Sequence, residues 1–412
     1  MKRWISRPFL WQTAVLLLTI SLWCSALSLA EERSKTAVSV GLRYESAEIT
    51  LEQLDAAKKE DHLFAAWHLG EILTAKNPSN AGSASITPMY IYGDTGLITS
   101  GVRWLSGGAP TADALYTCAV DRDTAESLWG SADVLGMVLE LDGKEYTISG
   151  VFDRWSSCIL LPLTSAQNAS ALEIPAVAGQ SGSRTADDLL SAAGLPSPDW
   201  TEDNPGTGDT MQSIALLPGW TLFAVMLVKC LALLYRSRQT PFVLLILLIG
   251  SFIYLALLFV IVRFPTSIPA AMIPNRWADF SFWGQLWQDW KDGFAAFLSR
   301  GADGPDMDRN LALLSVTAQT AGVFGLAIVL VRLQRKITVH PYLQIAVGMA
   351  VSFAAVMGVY IFQGRRIDSQ EVLWLSWPML LTGWHVLRRY QPICQPPSME
   401  ESVEEDTSPI VQ

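Results

Sequence analysis

Five long apolar runs dominate the chain, at 9–30, 214–234, 241–262, 311–331 and 341–362. Each matches the ~20 residues a helix needs to cross a hydrocarbon core. A sixth run, 372–387, is shorter and holds Pro378 and His385, and it is read as a further span. Between the first and second runs the period changes. Residues 36–44 alternate weakly, as a strand does. Thr50-Leu51-Glu52-Gln53 is a capping-box pattern that predicts a helix to about residue 60. Residues 84–92 and 116–120 read as strands, and Asp121 opens a helix running to Leu128. Residues 137–141 and 145–152 flank Asp142-Gly143, whose tolerance of positive φ predicts a tight hairpin. Residues 31–163 are therefore expected to form an α/β domain. Residues 164–212, rich in Ser, Gly, Asp, Pro and Thr, are expected to be a membrane-proximal linker with a short helix at 186–193.

Composition agrees with membrane insertion. Half of the 412 residues are hydrophobic and 17% are charged, against about 25% in soluble domains. The net charge of −10 is unevenly placed. Residues 31–212 hold 11 Lys and Arg against 26 Asp and Glu, and the rest of the chain holds 18 against 13. An acidic block of this size argues against nucleic acid as a partner. Basic residues near the span ends set orientation. Lys2, Arg3 and Arg7, then Arg236 and Arg238, then Arg332, Arg335 and Lys336, then Arg388 and Arg389 fall on one side if six spans alternate. That side is the cytoplasm, and the acidic block faces out. Arg365 and Arg366 run against the pattern. If 372–387 does not span, the C-terminus lies outside.

The expected organisation is thus a cytoplasmic N-terminus and first anchor (1–30), an outer α/β domain (31–163), a linker (164–212), a transmembrane bundle (213–390) and an acidic disordered tail (391–412). The first run is read as a retained anchor, with Trp11 and Trp23 at the interfaces. Ser28-Leu29-Ala30 ahead of Glu31 leaves a cleaved signal peptide as the alternative.

Within 274–297, Phe280, Trp283, Trp287, Trp290, Phe294 and Phe297 recur at helical spacing and share one face. With acids elsewhere on the helix, the pattern suits a helix lying in the outer interface. Packing beneath the outer domain and an aromatic binding platform are the alternatives. Lys229, near the end of the second span, suits a side chain that snorkels to the headgroups, with a functional charge inside the membrane as the alternative. Thr317, Gln319 and Thr320 suit hydrogen bonds between helices, with the lining of a pathway as the alternative.

Catalytic patterns are missing from the sequence. It has no G-x-x-x-x-G-K-[ST] loop, no G-x-S-x-G and no H-E-x-x-H. His62 and His68 are six apart, a spacing that does not suit zinc on a helix, although Asp61 and Glu71 lie nearby. No catalytic residue, cofactor or metal is expected, and the chain is read as a non-enzyme. Of the five cysteines, only Cys118 and Cys158 should face an oxidising compartment. They could form one disulfide if their Cα atoms lie within ~7 Å, a proximity that spacing leaves open.

The segment Asp121-Arg-Asp-Thr-Ala-Glu-Ser-Leu-Trp-Gly130, then Val134-Leu-Gly-Met-Val-Leu-Glu-Leu-Asp-Gly143, then Glu145-Tyr-Thr-Ile-Ser-Gly-Val-Phe152 resembles the periplasmic core domain of MacB/FtsX-type permeases. Tyr92-Gly-Asp-Thr and Trp104-Leu-Ser-Gly-Gly108 are similar to a further segment of that family, with Gly108 where Arg usually stands. The resemblance covers residues 9–155 and rests on structural turns. It implies a MacB-like outer domain inserted after the first span of a polytopic helical protein in a bacterial plasma membrane. It also implies a permease-like subunit working with a separate cytoplasmic ABC ATPase, as a homo- or heterodimer among membrane lipid. The contacts for an ATPase would be the turns carrying Arg236, Arg238, Arg332, Arg335 and Lys336. The membrane part departs from the family's four spans, since residues 235–240 replace a sizeable loop after the second. That departure leaves a second reading open: a non-transport sensor, scaffold or regulator with the same kind of outer domain.

Overall fold

The computed structural model describes residues 7–59, 63–80, 82–111, 114–177, 186–187, 190–191, 194–262, 284, 288, 291, 304–335, 340–363 and 370–390. The chain divides into two compact units. One takes Ala30–Gln212 and Phe297–Ser315, and the other takes Met1–Leu29, Ser213–Ala296 and Val316–Gln412.

The first unit is built on strands. In chain order its elements include β1 (Ser39–Arg43), α2 (Leu51–Lys59), β2 (Ala65–Leu69), β3 (Leu73–Lys76), β4 (Ser83–Gly93), α3 (Thr95–Thr99), β5 (Arg103–Gly107), β6 (Thr117–Asp121), α4 (Arg122–Trp129), β7 (Val138–Leu141), β8 (Lys144–Asp153), β9 (Cys158–Pro162), β10 (Ala171–Pro175) and β11 (Trp200–Asp203). The local signals act as their chemistry requires. Thr50 N–H donates to Gln53 Oε1 at 2.9 Å and Gln53 N–H donates to Thr50 Oγ1 at 3.4 Å, the two halves of a capping box. Asp121 Oδ2 accepts from Thr124 N–H at 3.0 Å, and α4 ends on Gly130 at φ 72°. Asp142 and Gly143, at φ 51° and 73°, turn β7 into β8.

The eleven strands form one hydrogen-bonded network. An antiparallel run β11-β1-β10-β2-β4 makes one part. At β4 the network divides. Residues 83–86 pair with β3 and residues 87–91 pair in parallel with β9. From β3 the pairings pass through β7, β8, β6 and β9 and so return to β4, a closed circuit of six strands. Ala75, Ile86, Val120, Leu139, Ile148 and Ile159, one from each strand, share the core that α4 seals with Ala125 and Leu128. Alternation sends the neighbouring residues to a second core, where Ala119, Phe152, Cys158 and Leu160 meet Leu97 and Ile98 of α3. A third core, around Leu42, Ile49, Leu54 and Leu172, lies beneath α2.

Two expectations change here. Residues 164–212 are not only a linker: β10 and β11 lie on either side of β1, and Leu172 is fully buried. Their short apolar stretches are too brief to stand out beside the polar residues around them. Cys118 and Cys158 are free thiols, not a disulfide. Ala119 lies opposite Leu160 and Val120 opposite Ile159, so the cysteines are offset by three positions, about 10 Å along the strands. Their side chains also enter different cores.

The second unit is helical. Its residues come from α1 (Arg7–Thr36), α5 (Asn204–Arg236), α6 (Pro241–Val262), α7 (Gly304–Gln334), α8 (Pro341–Gln363) and α9 (Gln370–Tyr390), with α1, α5 and α7 contributing to both units. Among the described residues, α1, α5, α6, α7 and α8 are long and apolar enough to cross a membrane. The sixth run lies in α9, which falls outside that set. Pro378, Ser376, Thr382 and His385 interrupt its apolar surface. Within this unit Gln12 Nε2 donates to Gln334, and Gln334 Nε2 donates to Gln344 at 2.9 Å, a buried amide chain joining α1, α7 and α8. Tyr254 Oη donates to the Met379 carbonyl at 2.8 Å and ties α6 to α9.

Candidate functional site

The most charged interior of the strand-built unit lies on one face of β1. Cross-strand register explains it. Gly41 pairs with Glu173 on β10 and with Glu202 on β11, so the two carboxylates flank one glycine. Arg43, two positions on, shares their face. Its guanidinium folds back over Gly41, where an added Cβ would lie 2.6 Å from Arg43 Nη1. Gly41 is therefore the residue that makes room for the cation.

Arg43 is 5% exposed and meets Glu173 Oε1 at 2.7 Å and Asp306 Oδ2 at 2.7 Å. The guanidinium also lies 4.9 Å from the centre of the Trp67 ring. Burial opposes its charge, but the two carboxylates more than offset that and hold its pKa above the ordinary arginine value. Glu173 is completed by Ser39 Oγ, which donates at 2.7 Å.

The first two turns of α7 supply the other half of the network. Asp306 accepts from Arg43, and Arg309 reaches Asp306 at 3.3 Å and Glu202 at 3.0 Å. Asn204, the first residue of α5, accepts from Arg309. Asp308 takes two bonds from Arg33 of α1, at 2.6 and 2.8 Å, and one from Arg154, at 2.6 Å. Arg154 donates in turn to the Gly101 carbonyl. The bonds form two adjacent groups, Arg43 and Arg309 with Glu173, Glu202 and Asp306, and Arg33 and Arg154 with Asp308, four arginines and four carboxylates together. Carboxylates at the start of α7 also suit the positive end of its dipole. A cavity of about 90 Å³ lies among Arg33, Arg43, Arg154, Glu173, Asn204 and Asp306, room for a few waters.

The network gives each oxygen of the Glu173 carboxylate a donor, Ser39 Oγ on one and Arg43 Nη2 on the other. Its chemistry is that of a clamp: charge-assisted bonds join α7 to β1 and β11, and α1 and α5 to α7.

The sequence-derived candidates fall elsewhere. Arg236, Arg238, Arg332 and Arg335 are exposed, with Arg238 4.6 Å from the Tyr235 ring centre. Lys336 and the aromatic set Phe280, Trp283, Trp287, Trp290, Phe294 and Phe297 lie outside the described residues. His68 Nδ1 sits 3.3 Å from Ser170 Oγ. The clamp residues had one signal in the sequence: lone charges inside apolar strands, as in Val40-Gly-Leu-Arg43 and Ala171-Leu-Glu-Ile174, and an Asp-x-Asp-Arg just before an apolar run.

Fold and site together describe a multi-pass membrane protein with an α/β domain, in which buried charges gather beside β1 and the start of α7. No protein-family model matches the sequence, and no curated protein matches it. Among solved structures, the chain is similar to the periplasmic region of MacB from Actinobacillus actinomycetemcomitans, at 10% identity and a TM-score of 0.35, over 43% of this chain and 94% of that one. It is also similar to the extracellular domain of YknZ, a noncanonic ABC-type transporter from Gram-positive bacteria, at 17% identity and a TM-score of 0.31, over 40% of this chain and 97% of that one.

Proposed function

We propose that the chain is a permease-like membrane component that links an outer α/β domain to its spans and works with a separate cytoplasmic ABC ATPase. The observation that carries this reading is the arginine–carboxylate clamp. A domain merely tethered to the membrane needs one anchoring helix. Here Asp306 and Arg309 of α7 are bonded to β1 and β11, and Arg33 of α1 and Asn204 of α5 are bonded in turn to Asp308 and Arg309 of α7. Such a set of bonds can pass displacement between helices and sheet without covalent chemistry. The turn-and-strand resemblance at 121–152 favours the same class. On this reading the acidic domain is extracytoplasmic, the basic turns are cytoplasmic, and the protein assembles as a dimer in a bacterial plasma membrane.

The test is affinity purification of the full chain from its own host, followed by identification of any ATPase that accompanies it. An ATPase should co-purify, and R236E/R238E together with R332E/R335E/K336E should remove it. Unchanged co-purification in that variant would refute the dock. A second reading, a sensor or scaffold without transport, is favoured by the shortness of the α5–α6 connection, a 3-10 turn at Ser237–Gln239. Recovery of the chain alone, with no export defect on deletion, would support it.

A further inference from the structure

The helical unit contains a cavity of about 270 Å³ bounded by α1, α5, α7 and α9. Ile20, Trp23, Val225, Ala327 and Trp377 give it an apolar wall. Packed interiors leave few voids larger than a water. Three of the helices around it, α1, α5 and α7, are long and apolar enough to cross a membrane, and the apolar material at hand to fill such an opening is an acyl chain.

One charge breaks the apolar lining. Lys229 of α5 lines the cavity, and its Nζ lies 4.8 Å from the Trp384 ring centre. No Asp or Glu is among the lining residues. The lining hydroxyls of Thr19 and Thr221 are turned to their own helix, donating to the carbonyls of Val15 at 2.7 Å and Pro218 at 2.9 Å. Lys229 precedes Arg236, the last residue of α5, by seven positions, about 10 Å of helix. From there a lysine reaches headgroup level.

We infer that this cavity binds one anionic phospholipid of the cytoplasmic leaflet, its acyl chain along the apolar wall and its phosphate against Lys229. The inference rests on the membrane placement proposed above but not on an ATPase. A neighbouring cavity of about 360 Å³, lined by Met226, Cys230, Leu247, Tyr254 and Gly383 among others, has no charged residue in its wall.

The test is native mass spectrometry of the full chain in mixed micelles, with phosphatidylglycerol and phosphatidylcholine of identical chains in competition. The wild type should retain phosphatidylglycerol about fivefold over phosphatidylcholine, the preference one basic group confers. K229Q should bring the ratio to parity, and K229R should keep it. A327F, which fills the apolar wall, should lower occupancy by both lipids. R236Q/R238Q should leave the preference intact. Parity in the wild type, a preference that survives K229Q, or its loss in R236Q/R238Q would each overturn the inference. The last result would assign selectivity to the basic turn. If K229Q does not fold, K229R and A327F still decide the matter: parity in K229R or full occupancy in A327F overturns it. ATPase co-purification is a separate measurement, so failure here leaves the proposed function standing.

Discussion

Replacing Arg43 by Met should destabilise the strand-built unit more than any surface change. The side chain is 5% exposed, and two carboxylates depend on it: Glu173, also 5% exposed, and Asp306, 13% exposed. Breaking a buried ion pair on one side costs about 3–5 kcal/mol, because the remaining charge is stranded. Two carboxylates are stranded here, but each keeps a partner. Glu173 retains Ser39 at 2.7 Å, and Asp306 retains Arg309 at 3.3 Å. A net loss of about 4 kcal/mol follows. For a cooperative unit of about 200 residues that lowers Tm by roughly 8–16 °C. A thiol-reactive fluorogenic maleimide can read it in the full chain in detergent. With Cys24, Cys230 and Cys394 replaced by Ala, only Cys118 and Cys158 remain, both buried in the cores of this unit. The triple variant R43M/E173L/D306L should recover most of the loss, since a buried pair replaced whole by apolar side chains is often neutral. A Tm drop below about 3 °C for R43M, or a triple variant no better than the single, would refute the reasoning.

Two further outcomes follow from the same unit. D121A removes the α4 cap and also the acceptor for the Thr124 hydroxyl at 2.5 Å and for Cys158 N–H at 3.0 Å; the same maleimide scan should show a loss of about 2–3 kcal/mol, above the ~1 kcal/mol of an exposed cap. Burial pushes the thiols of Cys118 and Cys158 up to about 12, with the Asp121 charge adding to the effect at Cys158. The unfolded thiols ionise near pH 9 while the folded ones stay neutral. Their contribution is therefore complete below pH 9 and is lost as pH rises towards 12, by about 1.4 kcal/mol per thiol at pH 10. Unfolding midpoints of the wild type and a C118A/C158A variant, compared from pH 8 to 10.5, should show a steeper fall for the wild type; parallel curves would contradict this account.

Some elements were legible residue by residue. The capping box at Thr50, the Asp121 cap and the Asp142-Gly143 turn each need only a few consecutive side chains, and each forms where its residues predict. Strands β2, β3, β5 and β9 had no such punctuation. They are four or five residues long and gain their stability from neighbours across the sheet. Residues 164–212 show the same effect, because β10 and β11 are strands only in company with β1.

The long apolar helices, the helix caps and the hairpin follow from residues close together in the chain, since hydrophobic length and turn chemistry act locally. The rest depends on residues that meet only when the chain is folded. Arg43 and Asp306 are 263 positions apart, and no spacing rule joins them. Their meeting depends on β1 lying between β10 and β11 and on Gly41 leaving space for a guanidinium. Cys118 and Cys158 lie on adjacent strands yet enter different cores, because a sheet sends successive side chains to opposite faces. Lys229 needed four helices around it before its charge faced an apolar cavity. Local energetics wrote the elements, and register and burial chose which charges would meet.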